Sequence, residues 1–282
     1  MSRHQGSGTT ATATRVPSVD EPSRRRVRCF RVVAALTGAF FLFLAVSNAL
    51  TPWFDVTTNP DDTQPELHLW FTAMSGGTDL IGAGCLLALA IRPRGWELLA
   101  VNMALGLIIA GIIIVPFTPS FLILLVLFVP VVASYPYRRA LRPRDFLRPP
   151  PALAAAVAGS SAAVLTVLAG VAIVKQITGT DSATVANWWV DYAEHAMGLA
   201  AVSVLAVLRG SGWRPLCALC TLAWLYLGIV SAFVIPEQQA GWGRSGGLAA
   251  LAVGAFYAWT TCRHEPLRES APALTRGVKQ GT

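Results

Sequence analysis

Long apolar runs constrain this sequence more than any other feature. Eight such runs follow one another along the chain, and few charged residues lie inside them. A hydrocarbon core about 30 Å thick requires roughly 20 apolar residues in a helix that crosses it, and lipid requires each crossing segment to make its own backbone hydrogen bonds. The predicted spans are 30–50, 70–91, 97–115, 121–135, 152–174, 187–208, 215–235 and 246–262. The sequence therefore predicts an all-α integral membrane protein with eight transmembrane helices.

The composition excludes an ordinary soluble domain. Charged residues make up 13% of the chain, and its mean hydropathy is +0.54. Soluble domains carry about 25% charged residues. Most of this chain is therefore expected to face lipid or protein, and the lipid bilayer is its first predicted partner.

The basic residues set the predicted orientation. Of the 22 Lys and Arg, all except Lys175 and Arg244 lie at helix ends or tails that eight crossings place on one side. Basic residues flanking membrane helices lie on the cytoplasmic side. We therefore expect a multi-pass protein of the cell membrane with both termini in the cytoplasm. This distribution also explains the net charge of +7 without a nucleic-acid partner.

The chain divides into two similar halves. We predict a disordered cytoplasmic tail over residues 1–28, four helices over 29–137, a basic linker over 138–151, four helices over 152–263, and a second disordered tail over 264–282. In each half a short basic turn precedes the third span: Arg92-Pro-Arg-Gly-Trp96 and Arg209-Gly-Ser-Gly-Trp213. Units of four spans share one orientation, so the pattern predicts a parallel repeat with a pseudo-two-fold axis along the membrane normal.

A four-span unit with a glycine-rich second helix and a basic glycine-containing turn resembles the DoxX-like group of small bacterial membrane proteins. The matching stretches are Ser75-Gly-Gly-Thr-Asp-Leu-Ile-Gly-Ala-Gly84 with the Arg92–Trp96 turn, and the helix of Gly198 with the Arg209–Trp213 turn. The resemblance covers both halves as a tandem. It implies a link to quinone or thiol redox systems, although many members of that group have no assigned activity, and it transfers no functional residue.

Ionisable residues inside two of the spans form the candidate site. Asp191, Glu194 and His195 share one face of the sixth span because they are three and four residues apart. The second span carries Asp79 at a similar depth and His68 near its start. A charge at the bilayer centre costs roughly 3 kcal/mol, so it normally faces protein or a water-filled cavity. We therefore predict a ligand-binding or proton-responsive pocket between the second and sixth helices, with His195 as the group that takes up a proton.

Other interpretations of these residues stay open. The same side chains are compatible with a structural polar patch that binds nothing. A metal site at Asp191, Glu194 and His195 lacks a second histidine at helical spacing, so no metal is predicted. Cys217 and Cys220 form a CxxC pair, which cycles between thiol and disulfide in redox proteins; two small apolar residues in a helix give the same pattern.

Small residues four apart predict close helix packing, as in Gly106 with Ala110 and Ala250 with Gly254. These pairs concern the architecture and carry no chemistry.

Three functions fit the pattern. The first is a protein that binds or moves a small apolar or protonatable molecule. The second is a membrane-embedded enzyme acting on a quinone or isoprenoid, and the third is an accessory subunit that docks on a membrane partner protein. The sequence contains no P-loop or HExxH motif, and it identifies no cofactor, so whether the protein is an enzyme stays open.

Overall fold

The computed structural model describes residues 22–54, 65–118, 122–137, 149–235 and 241–262. Within these ranges the chain forms helices and no β-strand. The helices are α1 (Arg24–Phe54), α2 (Pro65–Ile91), α3 (Glu97–Ile113), α4 (Leu122–Ser134), α5 (Ala152–Thr178), α6 (Ser182–Val185), α7 (Trp188–Val207), α8 (Trp213–Ile229) and α9 (Gly243–Cys262). A π-helical turn, Val230–Val234, continues α8. The predicted all-helical class is confirmed.

Five of the described helices are long and apolar enough to cross a membrane. They are α1, α2 from Leu67, α5, α7, and α8 together with its π-helical turn. The other three predicted spans correspond to α3, α4 and α9. Helix α3 is a shorter apolar helix of 17 residues, α4 has 13 residues, and α9 begins with the polar stretch Gly243, Arg244 and Ser245. The protein is thus membrane-embedded, with five helices rather than eight that meet this criterion.

The first helix begins earlier than the sequence predicts. A disordered tail was expected over residues 1–28, but α1 starts at Arg24. The Ser23 hydroxyl accepts a hydrogen bond from the Arg26 backbone N–H at 3.3 Å, and a serine in that position caps a helix. Arginine is also a good helix former, so the basic cluster is helical. Three of the predicted segments lie outside the described residues: 1–21 of the first tail, 138–148 of the linker, and the second tail from residue 264.

The helices pack in a regular pattern. Helix α1 packs along α2, α5 along α7, and α8 along α9. Helices α2 and α7 contact each other at the centre, and each also contacts a helix of the other half: α2 with α8, and α7 with α3. Helices α1 and α5 lie at the periphery, where Leu36 and Val167 are 69% and 66% exposed. Apolar side chains this exposed are expected where a helix faces lipid.

The two basic turns share a positive-φ glycine at the same position and touch each other. Gly95 and Gly212 both have positive φ, 82° and 85°, a conformation that favours glycine. Leu98, in the first turn of α3, donates its backbone N–H to the Ser211 carbonyl at 3.0 Å. A Cβ added to Gly212 would lie 2.8 Å from the Trp96 Cα atom. Both glycines are therefore required by the turn geometry, and the second also by the close approach of the two turns.

Candidate functional site

His195 lies where α7 crosses α2. Its Nε2 is 2.8 Å from the Ser75 hydroxyl, and its Nδ1 is 2.7 Å from the Thr78 hydroxyl. Glu194, its neighbour in α7, places Oε2 2.9 Å from Nδ1. Three oxygen atoms from two helices therefore surround the imidazole ring of His195. Hydrogen bonds to its ring nitrogens fix the orientation of this side chain.

The hydrogen bonds around His195 favour a particular proton position. The Thr78 hydroxyl donates to the Met74 carbonyl at 2.9 Å, so its oxygen is free to accept from Nδ1–H. The Glu194 carboxylate can only accept when it is ionised. Both neighbours of Nδ1 are therefore acceptors, which places a proton on that nitrogen. The Ser75 hydroxyl both donates and accepts, so it matches Nε2 whether that nitrogen is protonated or not.

Two further carboxylates face the same space as His195. Asp79 comes from α2, and Asp191 lies one helical turn before His195 on α7. Together with Glu194 they line a cavity of about 300 Å³ enclosed by α1, α2, α3, α4 and α7. We call it the acidic cavity. No Lys or Arg is among its described lining residues, so three carboxylates face a single histidine.

The rest of the acidic cavity is apolar. Phe41 and Leu44 come from α1, Met103 and Leu107 from α3, and Phe128 from α4. Asn102 adds one amide, whose Nδ2 is 3.8 Å from the Cys85 sulfur. An apolar enclosure with a few convergent polar groups is the usual form of a small-molecule site.

Three glycines keep the acidic cavity open. Gly82, Gly106 and Gly198 line it, and a Cβ added to any of them would meet no atom within 4 Å. The prediction that Gly106 packs closely against another helix was therefore wrong, because this position faces empty space. Gly254 does pack closely: its added Cβ would lie 3.1 Å from the Leu225 backbone nitrogen.

The structure brings four of the five predicted pocket residues to this cavity: Asp79, Asp191, Glu194 and His195. His68 does not reach it. Its ring stacks on Trp188 with the ring centroids 4.7 Å apart and the planes at 21°. This contact joins the start of α2 to the start of α7 and lies away from the acidic cavity.

The CxxC cysteines point to different neighbours. Cys217 contacts α9, with its sulfur 3.1 Å from the Thr261 hydroxyl, whereas the Cys220 sulfur lies 3.7 Å from the Ser203 hydroxyl of α7. Both are free thiols and fully buried. Thiol exchange requires access to the attacking sulfur, and neither sulfur has it here. A redox role for this pair stays an untested hypothesis.

A second cavity, of about 560 Å³, lies between α5, α7, α8 and α9 with the start of α2. We call it the aromatic cavity because Trp70, Trp189, Tyr192, Trp224 and Trp242 line it. The Trp242 ring contacts those of Trp70 and Trp224 at centroid distances of 5.1 and 5.7 Å, and its N–H donates to the Tyr192 hydroxyl at 3.1 Å. Lys175 is the only charged residue of the described lining.

Sequence reasoning missed Ser75 and Asn102. Asn102 had a usable signal, because it is the single polar residue between Leu98 and Ile113. Ser75 had none, since serine is common in membrane helices and its role depends on the crossing of α2 with α7. Among the described residues no group of three or more His, Cys, Asp or Glu is arranged to hold a metal ion.

Comparison of the chain with protein-family models, with curated proteins and with solved structures yields no match. The geometry of the two cavities is therefore the basis for assigning a function.

Proposed function

We propose that this protein binds, or moves across the membrane, a small molecule that has an apolar body and a protonated basic group, and that the acidic cavity is its site. The observation that carries this proposal is the composition of the cavity wall. Asp79, Asp191 and Glu194 face one space with His195, and apart from Thr78 and Asn102 the remaining wall is apolar, with no Lys or Arg described in it.

Charge balance selects the class of ligand. Three carboxylates that line one cavity repel one another when they are ionised. They require protons or a cation to neutralise them, and His195 supplies at most one positive charge. A protonated amine would bring a positive charge and N–H donors to the carboxylates, while its apolar part would contact side chains such as Phe41, Leu107 and Phe128.

We further propose eight crossings in two parallel four-helix repeats, in the cell membrane, with both termini cytoplasmic. In this assignment the spans are α1 to α4, then α5, α7, α8 and α9. The contacts support it, because each helix pair in contact in the first half has a counterpart in the second. The α1–α2 contact corresponds to α5–α7, and the α3–α4 contact corresponds to α8–α9. Between the halves, the α2–α8 contact corresponds to α7–α3. The turns agree as well: Arg92 lies 5.8 Å above the Trp96 ring and Arg209 5.7 Å above the Trp213 ring. A relationship with the DoxX-like group is part of this proposal.

The topology is testable with two native cysteines. Cys29 and Cys262 are exposed and lie near the start of α1 and the end of α9. A membrane-impermeant maleimide should label both in permeabilised cells and neither in intact cells. Labelling of just one of them in intact cells would mean an odd number of crossings.

The ligand class is testable with three probes that share a rigid apolar body: 1-adamantylamine, 1-adamantanol and 1-adamantanecarboxylate. We expect the amine to raise the unfolding temperature of the purified protein, the alcohol to raise it less, and the carboxylate not at all. A ligand at 100 times its Kd stabilises a protein by about 2.7 kcal/mol. Substitution Asp79→Asn should remove the preference for the amine over the alcohol.

The control substitution for Asp79→Asn is Asn187→Asp, which adds a carboxylate at the start of α7 outside the cavity wall. It should leave the amine preference intact. If the carboxylate probe stabilises the parent as well as the amine does, the acidic cavity does not select a cation and the proposal fails. A membrane enzyme or an accessory subunit would then be the better assignment.

A further inference from the structure

We propose that the aromatic cavity is a binding site for a membrane lipid with an anionic head group. This site is separate from the acidic cavity, and it is formed mainly by the second half of the chain. Three features argue for it: an opening toward lipid, an apolar and aromatic interior, and a single cation at one end.

The opening lies between α5 and α9. Both helices line the cavity, yet they make little contact with each other. On α5, the cavity-lining residues Val164 and Val171 are 59% and 49% exposed. Exposed valines on a membrane helix face hydrocarbon, so the occupant can enter sideways from the bilayer. A water-soluble ligand would have to cross that apolar face.

The interior suits a hydrocarbon chain. Its volume of about 560 Å³ falls in the range of about 300–1,000 Å³ that is usual for ligand sites. Leu165 and Leu168 of α5 line one side, while Trp224 and Trp242 line the other. The polar atoms of these two indoles are already used, because Trp224 donates to Ser203 at 2.9 Å and Trp242 to Tyr192 at 3.1 Å. These two indoles thus offer apolar ring faces rather than free N–H groups.

The cation lies where a head group would be. Lys175 is in the last turn of α5, and the ends of membrane helices reach the head-group region. Its Nζ is 4.0 Å above the Trp189 ring, a cation–π contact that holds the ammonium at the end of the cavity. Among the described residues no carboxylate forms an ion pair with Lys175.

Asp181, the nearest acidic residue after Lys175 in the chain, attracts the Lys175 ammonium through space but forms no direct ion pair with it. Its carboxylate accepts from the Thr184 backbone N–H at 2.8 Å and from the Thr184 hydroxyl at 2.6 Å. Among the described residues no direct ion pair holds the ammonium, so it can contact a phosphate or carboxylate of a lipid. An anionic head group at Lys175 with its chain between α5 and α9 accounts for all three features.

The proposal can be tested by photocrosslinking on the full-length protein in lipid vesicles. Two probes with identical diazirine-bearing acyl chains are compared, phosphatidylglycerol and phosphatidylcholine, and mass spectrometry locates the labelled peptides. Since a basic residue contributes about 1 kcal/mol to the attraction of anionic lipids, phosphatidylglycerol should label α5 and α9 about fivefold more than phosphatidylcholine does. The substitution Lys175→Gln should abolish that difference.

Matched controls are available on the same helices. Arg244→Gln removes an exposed basic residue of α9 that does not line the cavity, so it should keep the head-group preference. Val164→Trp should fill the opening and reduce labelling by both lipids, whereas Val167→Trp, similarly exposed on α5 but outside the lining, should not. Equal labelling of the parent by both lipids would overturn the proposal, as would a preference that survives Lys175→Gln or maps to other helices.

Discussion

The acidic cavity and the aromatic cavity occupy corresponding places among the helices but have opposite chemistry. The first is enclosed by α1 to α4 with α7, the second helix of the other half. The second is enclosed by α5, α7, α8 and α9 with α2, again the second helix of the other half. Carboxylates and a histidine line the first, while indole rings and one lysine line the second. The two cavities therefore differ in charge and lie on the two sides of the α2–α7 contact.

One pair of positions shows how this difference arises. The alignment of Trp96 with Trp213 pairs Leu107 of α3 with Trp224 of α8, and each lines the cavity of its own half. The larger indole occupies space in the aromatic cavity. In the acidic cavity three glycines leave space open. The side chains at such paired positions therefore set the chemistry of each cavity.

The largest expected effect comes from filling the acidic cavity. Gly106→Leu should weaken binding of 1-adamantylamine about a hundredfold, about 3 kcal/mol, because the new side chain would extend into the open space. Leucine is also a better helix former than glycine, so the unfolding temperature should not fall. The matched control is Gly170→Leu on α5, another helical glycine with open space at its Cβ, which lines neither cavity. Isothermal titration of both variants measures the difference, and equal affinities would show that the acidic cavity is not the amine site.

A smaller effect is expected from the aromatic cavity. Trp224→Leu removes the hydrogen bond to Ser203 and the ring contact with Trp242, and we expect it to lower the free energy of unfolding by about 2–3 kcal/mol. The exposed Trp53, 49% accessible, gives the control Trp53→Leu, which should cost far less. Denaturant titration measures both. Amine binding should be unchanged in Trp224→Leu, and its loss would mean that the two cavities are not independent.

The smallest effect concerns the turn beside Lys175. Hydrogen bonds from Thr184 lower the pKa of Asp181 below its ordinary value. A carboxyl with a lowered folded-state pKa stabilises the fold above its unfolded-state pKa of about 3.9, and this contribution is lost as the pH falls through the folded-state value. Asp181→Ala should therefore cost about 1 kcal/mol at neutral pH, and its difference from the parent should shrink below about pH 4. A difference that stayed constant down to acid pH would exclude this role of the ionised carboxylate.

Much of the fold could be predicted from the sequence. The predicted span 187–208 matches α7, Trp188–Val207, to within one residue at each end, and the span from residue 152 begins where α5 begins. The start of α5 is readable because Pro149, Pro150 and Pro151 precede it, whereas Pro52 and Pro130 lie inside α1 and α4. The start of α1 was not predicted correctly, because the arginine run before residue 29 is polar and was assigned to a disordered tail. Arginine nevertheless favours a helix.

The candidate site could be predicted only in part. Asp191, Glu194 and His195 share a helical face by spacing alone, and Asp79 stands out as a charge in an apolar span. No local pattern shows that Ser75 and Thr78 of α2 hold the ring of His195, because those contacts depend on the angle and register of two helices 117 to 120 residues apart in sequence.

The sequence by itself determined that this chain is helical and membrane-embedded, because the length and apolarity of each segment are local properties. It also determined which ionisable residues lie inside the apolar spans. The tertiary structure alone decided that four of these residues meet at one cavity while His68 stacks on Trp188 outside it. It also decided that Gly106 faces open space and that five distant aromatic side chains converge near Lys175. Convergence depends on how helices cross, and crossing depends on the packing of the whole chain rather than on any one segment.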